Sequence, residues 1–167
     1  MSQKLSCSPT TVLLIDSYKE DRENWVQRLS DSAPDYLVLE AETGASGLAV
    51  CHSQRVDCVI TELTLPDMSG FEVLADLVPL VSHPNIAVIM FSQISLPSIA
   101  ALALSSGAQA YLIKSRIYGD FLNRAINKAV VAVRSATGLN QFVTCSPPDQ
   151  APSGPLAESL VSSYKNP

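Results

Sequence analysis

Five short runs of apolar, mostly branched residues punctuate the chain: Thr11 to Ile15, Tyr36 to Leu39, Cys58 to Thr61, Ile86 to Phe91 and Ala110 to Ile113. Each is nearly unbroken in apolarity instead of alternating with polar residues, as expected of parallel strands covered on both faces. Between the runs the apolar spacing becomes helical. Over Lys19 to Leu29, residues Trp25, Val26 and Leu29 take one side and charges the other. Ala45 to Gln54 follows Gly44, and Phe71 to Val81 follows Ser69-Gly70. Ser98 to Ser106 begins after Leu96-Pro97 and stops at Gly107, suitable residues for a helix start and a helix end. Phe121 to Arg134 places Phe121, Leu122, Ala125, Ile126, Ala129, Val130 and Val133 on one stripe. Strand and helix alternating five times predicts an α/β fold, a doubly wound parallel sheet of five strands with helices on both faces and right-handed crossovers.

The pattern fades at both ends. Residues 1–9 are expected to be a flexible lead-in, 10–134 the folded domain and 135–167 a disordered tail rich in Ser and Pro, broken by Pro147-Pro148, Pro152 and Pro155. Leu156, Leu160, Val161 and Tyr164 could form a turn or two of amphipathic helix when docked, but the tail is too short for a DNA-binding output domain. A net charge of -5 gives no basic footprint, so nucleic acid is not an expected partner. Nor is a membrane, because no apolar run approaches the roughly 18 residues of a span. The first run, Val12 to Ile15, meets Asp16 too soon for a signal peptide. Cys7, Cys51, Cys58 and Cys145 lack metal-ligand spacing, and Cys51 and Cys58 read as small buried hydrophobes. A reduced, cytoplasmic protein is expected.

Packing does not explain how the runs end. Asp16, Glu62, Ser92 and Lys114 follow the first, third, fourth and fifth. Chemistry in an open parallel sheet gathers outside the carboxyl ends of the strands, so two acids, a hydroxyl and an amine should converge on one cleft.

The segments Val12-Leu-Leu-Ile-Asp16, Val59-Ile-Thr-Glu62-Leu-Thr-Leu-Pro66-Asp-Met-Ser-Gly70, Val88-Ile-Met-Phe-Ser92 and Gly107-Ala-Gln-Ala-Tyr111-Leu-Ile-Lys114 resemble the receiver domain of bacterial two-component response regulators. The resemblance runs from about Thr10 to Arg134 and implies a flavodoxin-like sheet of strand order 2-1-3-4-5. In that family an aspartate ending the third strand takes a phosphoryl group from a histidine kinase. Two acids after the first strand join it in holding Mg²⁺, and a strand-four hydroxyl and strand-five lysine bond the phosphoryl oxygens. By that resemblance Asp16 is the first metal acid, and Thr64 sits where a backbone carbonyl reaches the metal. Ser92 matches the switch hydroxyl, Tyr111 the switch aromatic and Lys114 the lysine. Three positions depart: Glu62 stands at the phospho-acceptor, Ser17 replaces the second metal acid, and Ser115 stands where a proline usually follows the lysine.

These departures have physical consequences. Mg²⁺ demands near-octahedral oxygen ligands, so losing a carboxylate at Ser17 should leave at most a weak site, and no other cofactor is expected. Glu62 carries an extra methylene, roughly 1.5 Å of reach, and in-line phosphoryl transfer depends on positioning. Glu62 is therefore expected to be a poor acceptor whose carboxylate reaches toward Lys114 or Ser92 and holds the switch without phosphate. Simpler roles stay open for other residues: Ser92 capping a loop, Tyr111 packing in its strand, and Glu20, Asp21 and Glu23 as solvated acids at a helix start.

From Leu77 to Ile113 there is no Asp, Glu, Lys or Arg, and the fourth helix is expected to show solvent only Ser and Ala. A weakly polar exposed face suggests an interface. The family uses the face built from the fourth helix, fifth strand and fifth helix for dimers and outputs. Ile99, Leu102, Ala103 and Tyr111 are thus the expected contact residues for a histidine kinase, a downstream effector or a second copy of the chain. The expected function is that of an atypical stand-alone receiver, not an enzyme, acting through protein–protein contact. Two alternatives stay open: a receiver that still accepts phosphate, and a flavodoxin-like cofactor binder. Neither a GxGxxG nor a Walker loop is present to support a nucleotide enzyme.

Overall fold

Branched side chains favour the extended backbone of β1 (Thr10–Ile15), β2 (Tyr36–Ala41), β3 (Cys58–Glu62), β4 (Ala87–Ser92) and β5 (Ala110–Ile113). The computed structural model describes residues 9–118 and 120–137 and pairs these strands in parallel in the order β2-β1-β3-β4-β5. Chain order reverses at β1, which lies between β2 and β3, so a crevice opens outside the carboxyl ends of β1 and β3.

Successive strand residues point to opposite faces, which divides the interior into two cores. Leu13, Ile15, Val59, Val88 and Met90 face α2 (Gly44–Ser53), α3 (Gly70–Leu77) and α4 (Pro97–Ser105). Val12, Leu14, Ile60, Ile89 and Phe91 face α1 (Lys19–Ser32) and α5 (Phe121–Ala136). There Trp25 meets Phe91 edge to face, ring centres 4.8 Å apart. The expected α5 stripe packs as read, with Leu122, Ile126, Ala129, Val130 and Val133 all buried.

Several boundaries differ from the sequence reading, each for a local reason. The third helix ends at Leu77 and not Val81, because Val78 precedes Pro79 and is steered out of helical geometry (φ -125°, ψ 65°). β2 continues through Glu40 and Ala41, opposite Leu14 and Ile15, since an edge strand tolerates a charge. α5 continues two residues past Arg134, to Ala136. Gly107 lies just after the α4 cap residue Ser106 with φ +104°, a left-handed turn that a side chain would strain. At the amino-terminal edge of the sheet Asp57 forms a clasp. Its Oδ2 accepts from the Thr11 N–H at 3.0 Å and its Oδ1 from Arg55 and Arg134 at 3.0 and 3.1 Å, joining β1 and β3 to the end of α5. Residues 1–8 and 138–167, which hold most of the expected lead-in and tail, lie outside the described residues.

Candidate functional site

Lys114 follows β5 directly, as the first residue of a single 3-10 turn (Lys114–Arg116), and its side chain runs back into the crevice. Its Nζ lies 2.6 Å from Asp16 Oδ2, 2.6 Å from Glu62 Oε2 and 3.0 Å from Asp21 Oδ2. The ammonium donates hydrogen bonds to Asp16 and Asp21 and is paired with Glu62 by charge, so three carboxylates surround it. Asp16 is fully buried at the end of β1 and Glu62 is 6% exposed at the end of β3. Their other oxygens are also engaged: Asp16 Oδ1 accepts from the Tyr18 N–H at 2.9 Å, and Glu62 Oε1 from the Leu63 N–H at 2.8 Å. Burial alone would pull the Lys114 pKa down. Hydrogen bonds to Asp16, Glu62 and Asp21 outweigh it and hold the ammonium well above its ordinary range.

Of the two reaches open to Glu62 in sequence, the structure takes the one to Lys114. Ser92 caps a loop, its Oγ accepting from the Ile94 N–H at 3.1 Å, and it lines the same crevice. Tyr111 is buried and donates its hydroxyl to the Ile94 carbonyl at 2.8 Å. Ser17 and Thr64 line the crevice, which encloses about 390 Å³. Thr64 rides on the loop between β3 and α3, which Asp67 ties to the start of α2 by accepting from the Gly44 and Ala45 N–H groups at 2.9 and 2.8 Å. Close approach fixes the far end of that loop: a Cβ at Gly70 would collide with the Glu62 carbonyl oxygen.

Two contributors were not legible as such. Asp21, read as a solvated helix-start acid, turns back from the first turn of α1 to Lys114, while Glu20 and Glu23 remain exposed. The signal was its placement: a helix starting three residues after Asp16 sets its first turn over the end of β1. Arg22, expected on the charged outer side of α1, is buried. It donates to the Asp16 carbonyl at 2.6 Å, to Glu40 at 3.1 Å and to Glu42 at 2.9 Å. A buried guanidinium with three oxygen partners is a satisfied one.

The donor set does not fit Mg²⁺ in this arrangement. Lys114 occupies the centre of the carboxylates, and Ser17 offers a hydroxyl where the family has a charge. Among the described residues no group of three or more His, Cys, Asp or Glu side chains is arranged to hold a metal.

The expected contact face needs correcting. Ala103 is fully buried and Tyr111 6% exposed, so neither offers a surface; Ile99 is half-buried and Leu102 is 54% exposed. The outer side of α4 is not confined to Ser and Ala, for Leu102 and Leu104 both turn outward. The small residues Ala100 and Ala103 take the inner positions instead, seating the helix close to the sheet. Leu80, Val81, Ile94 and Leu96 add exposed apolar surface from the same charge-free stretch. Among the described residues no helix is long and apolar enough to cross a membrane.

The family model for the response regulator receiver domain matches residues 12–142. The nitrate/nitrite response regulator protein NarL of Escherichia coli is 34% identical over 124 residues, covering 72% of this chain and 55% of that protein. The transcriptional regulatory protein KdpE of Mycobacterium tuberculosis is 35% identical over 134 residues, covering 80% of this chain and 57% of that protein. The chain thus spans about half the length of these curated relatives. A crystal structure of a response regulator receiver domain protein from Clostridium thermocellum matches with a TM-score of 0.66 and 27% identity, over 75% of this chain and 98% of that one.

Proposed function

Since this chain belongs to the response regulator receiver domain family of two-component signalling, we propose that it signals by protein–protein contact with its switch held by an internal ion pair and not turned by phosphate. The observation that carries this reading is the 2.6 Å contact between Glu62 Oε2 and Lys114 Nζ. Phosphoryl transfer relies on a free, positioned nucleophile and on neutralised charge. Here the carboxylate at the acceptor position already binds the lysine, and Ser17 withholds the second metal charge. Any Mg²⁺ is held weakly. Glu62 stands in for the negative group that a phosphoryl transfer would deliver.

The signalling partner, a kinase or an effector, docks on the apolar outer side of α4 around Leu96, Leu102 and Leu104. The free thiols of Cys51 and Cys58 suit a reduced, cytoplasmic setting. Incubation with acetyl phosphate and Mg²⁺, followed by intact mass measurement, tests the central claim. The expected result is no adduct, and a stoichiometric gain of about 80 Da, one HPO₃ group, would overturn it. On the same scaffold the double variant Ser17→Asp with Glu62→Asp is expected to gain both Mg²⁺ binding and the adduct.

A further inference from the structure

The three carboxylates around Lys114 differ in their access to solvent. Asp16 and Glu62 have side chains 0% and 8% exposed, whereas Asp21, which accepts a hydrogen bond from Nζ at 3.0 Å, is 39% exposed on the wall of the crevice. Three carboxylates around one ammonium leave two formal negative charges in excess. An oxyanion entering the crevice meets that excess charge and finds the ammonium already ringed by carboxylates, its solvent-side hydrogen bond taken by Asp21.

We propose that Asp21 is an anion gate: by taking the solvent-side hydrogen of Lys114, it keeps phosphate-class oxyanions out of a crevice large enough to admit them. This deepens the reading of Lys114 as an internally satisfied cation and rests on it. Asp16 and Glu62 cannot play the same part, because they lie beneath the ammonium and are held by the Tyr18 and Leu63 N–H groups. Asp21 belongs to the exposed first turn of α1, so removing its carboxylate leaves both cores intact and points one charged donor into the crevice.

The test is titration of the full chain with inorganic phosphate, followed through backbone amide shifts around the crevice at Ser17, Ile94 and Ser115. Wild type is expected to show no saturable shift. Asp21→Ala should show saturable shifts confined to the crevice, with affinity raised at least about tenfold, as one new hydrogen bond to a charged group implies. Asp21→Glu, which keeps the carboxylate, should exclude phosphate as wild type does. Glu20→Ala removes the same charge from the same helical turn at an exposed position and should gain nothing. Saturable binding by wild type, equal binding by Glu20→Ala, or no gain in Asp21→Ala would each overturn the gate. Failure of the parent reading looks different: it is a covalent mass gain in wild type with a phosphodonor, whatever the titration shows.

Discussion

Replacing Lys114 by methionine isolates what the ammonium does, because methionine fills much of the same volume and carries no charge. In the native chain Nζ contacts Asp16 and Glu62 at 2.6 Å each, and both acids are almost wholly removed from water. The variant leaves two buried carboxylates facing one another without a counter-charge, each reduced to one backbone N–H partner. Breaking a buried ion pair from one side costs about 3–5 kcal/mol. That is a large part of the roughly 5–15 kcal/mol that holds a domain of this kind together. The deficit should depend on pH in a defined direction. Uncompensated carboxylates in the folded variant favour protonation, so the deficit shrinks as pH falls toward the carboxylate range near about 4. At the alkaline end the sign reverses. The folded pKa of Lys114 lies above its ordinary 10.5, so its contribution to wild-type stability is complete below 10.5. That contribution drains away as pH rises from there through the folded value, a loss the variant cannot show. Urea unfolding followed by fluorescence of Trp25, the single tryptophan, at about pH 7 and about pH 5 measures the acid-side effect. A deficit under about 1 kcal/mol, or one that grows as pH falls, would refute the assigned role of the ammonium.

Two further predictions concern the frame around the site. Burial raises the pKa of Asp57, but hydrogen bonds from Thr11, Arg134 and Arg55 outweigh it and hold the carboxyl below its ordinary 3.8. Its stabilising effect is therefore present above 3.8 and lost as pH falls through the folded value. Asp57→Asn should cost about 1.5–3 kcal/mol at neutral pH, with the gap to wild type closing in thermal melts taken down to about pH 3. Gly107→Ala forces a side chain into φ +104° and to within 2.9 Å of Val78 Cγ1. A loss of about 1–3 kcal/mol is expected, read as a lower urea midpoint at unchanged slope.

The strands and the crevice were legible because both faces of the sheet are covered. Unbroken apolar runs then have one structural meaning, and the polar residues that end them fall at one edge. Glu62 could be aimed in advance at Lys114 or Ser92, and the structure takes the pairing with Lys114. Asp21 and Arg22 could not, since a charged residue in the first turns of a helix has the same local sequence whether it faces water or folds back over a strand end. Leu102, expected at the contact face, does turn outward, but the outward Leu104 and the inward Ala103 were misplaced for a related reason. Apolar periodicity says which side of a helix is greasier, but both sides of α4 are apolar. The choice fell to fit against the sheet, where Ala100 and Ala103 permit a closer approach than Leu102 and Leu104 would.

That seating has a mechanical consequence. At its two most buried positions α4 meets the sheet through methyl groups alone, whereas α5 is moored by Leu122, Ile126, Val130 and Val133. A helix resting on two alanines, with only the half-buried Ile99 as a larger peg, has little to lift clear before it can glide or roll. A push delivered at Ile94, which carries the carbonyl bonded to Tyr111, would be relieved along α4 sooner than along any better-anchored neighbour. Compliance in this domain is thus set by the smallest side chains in its interior.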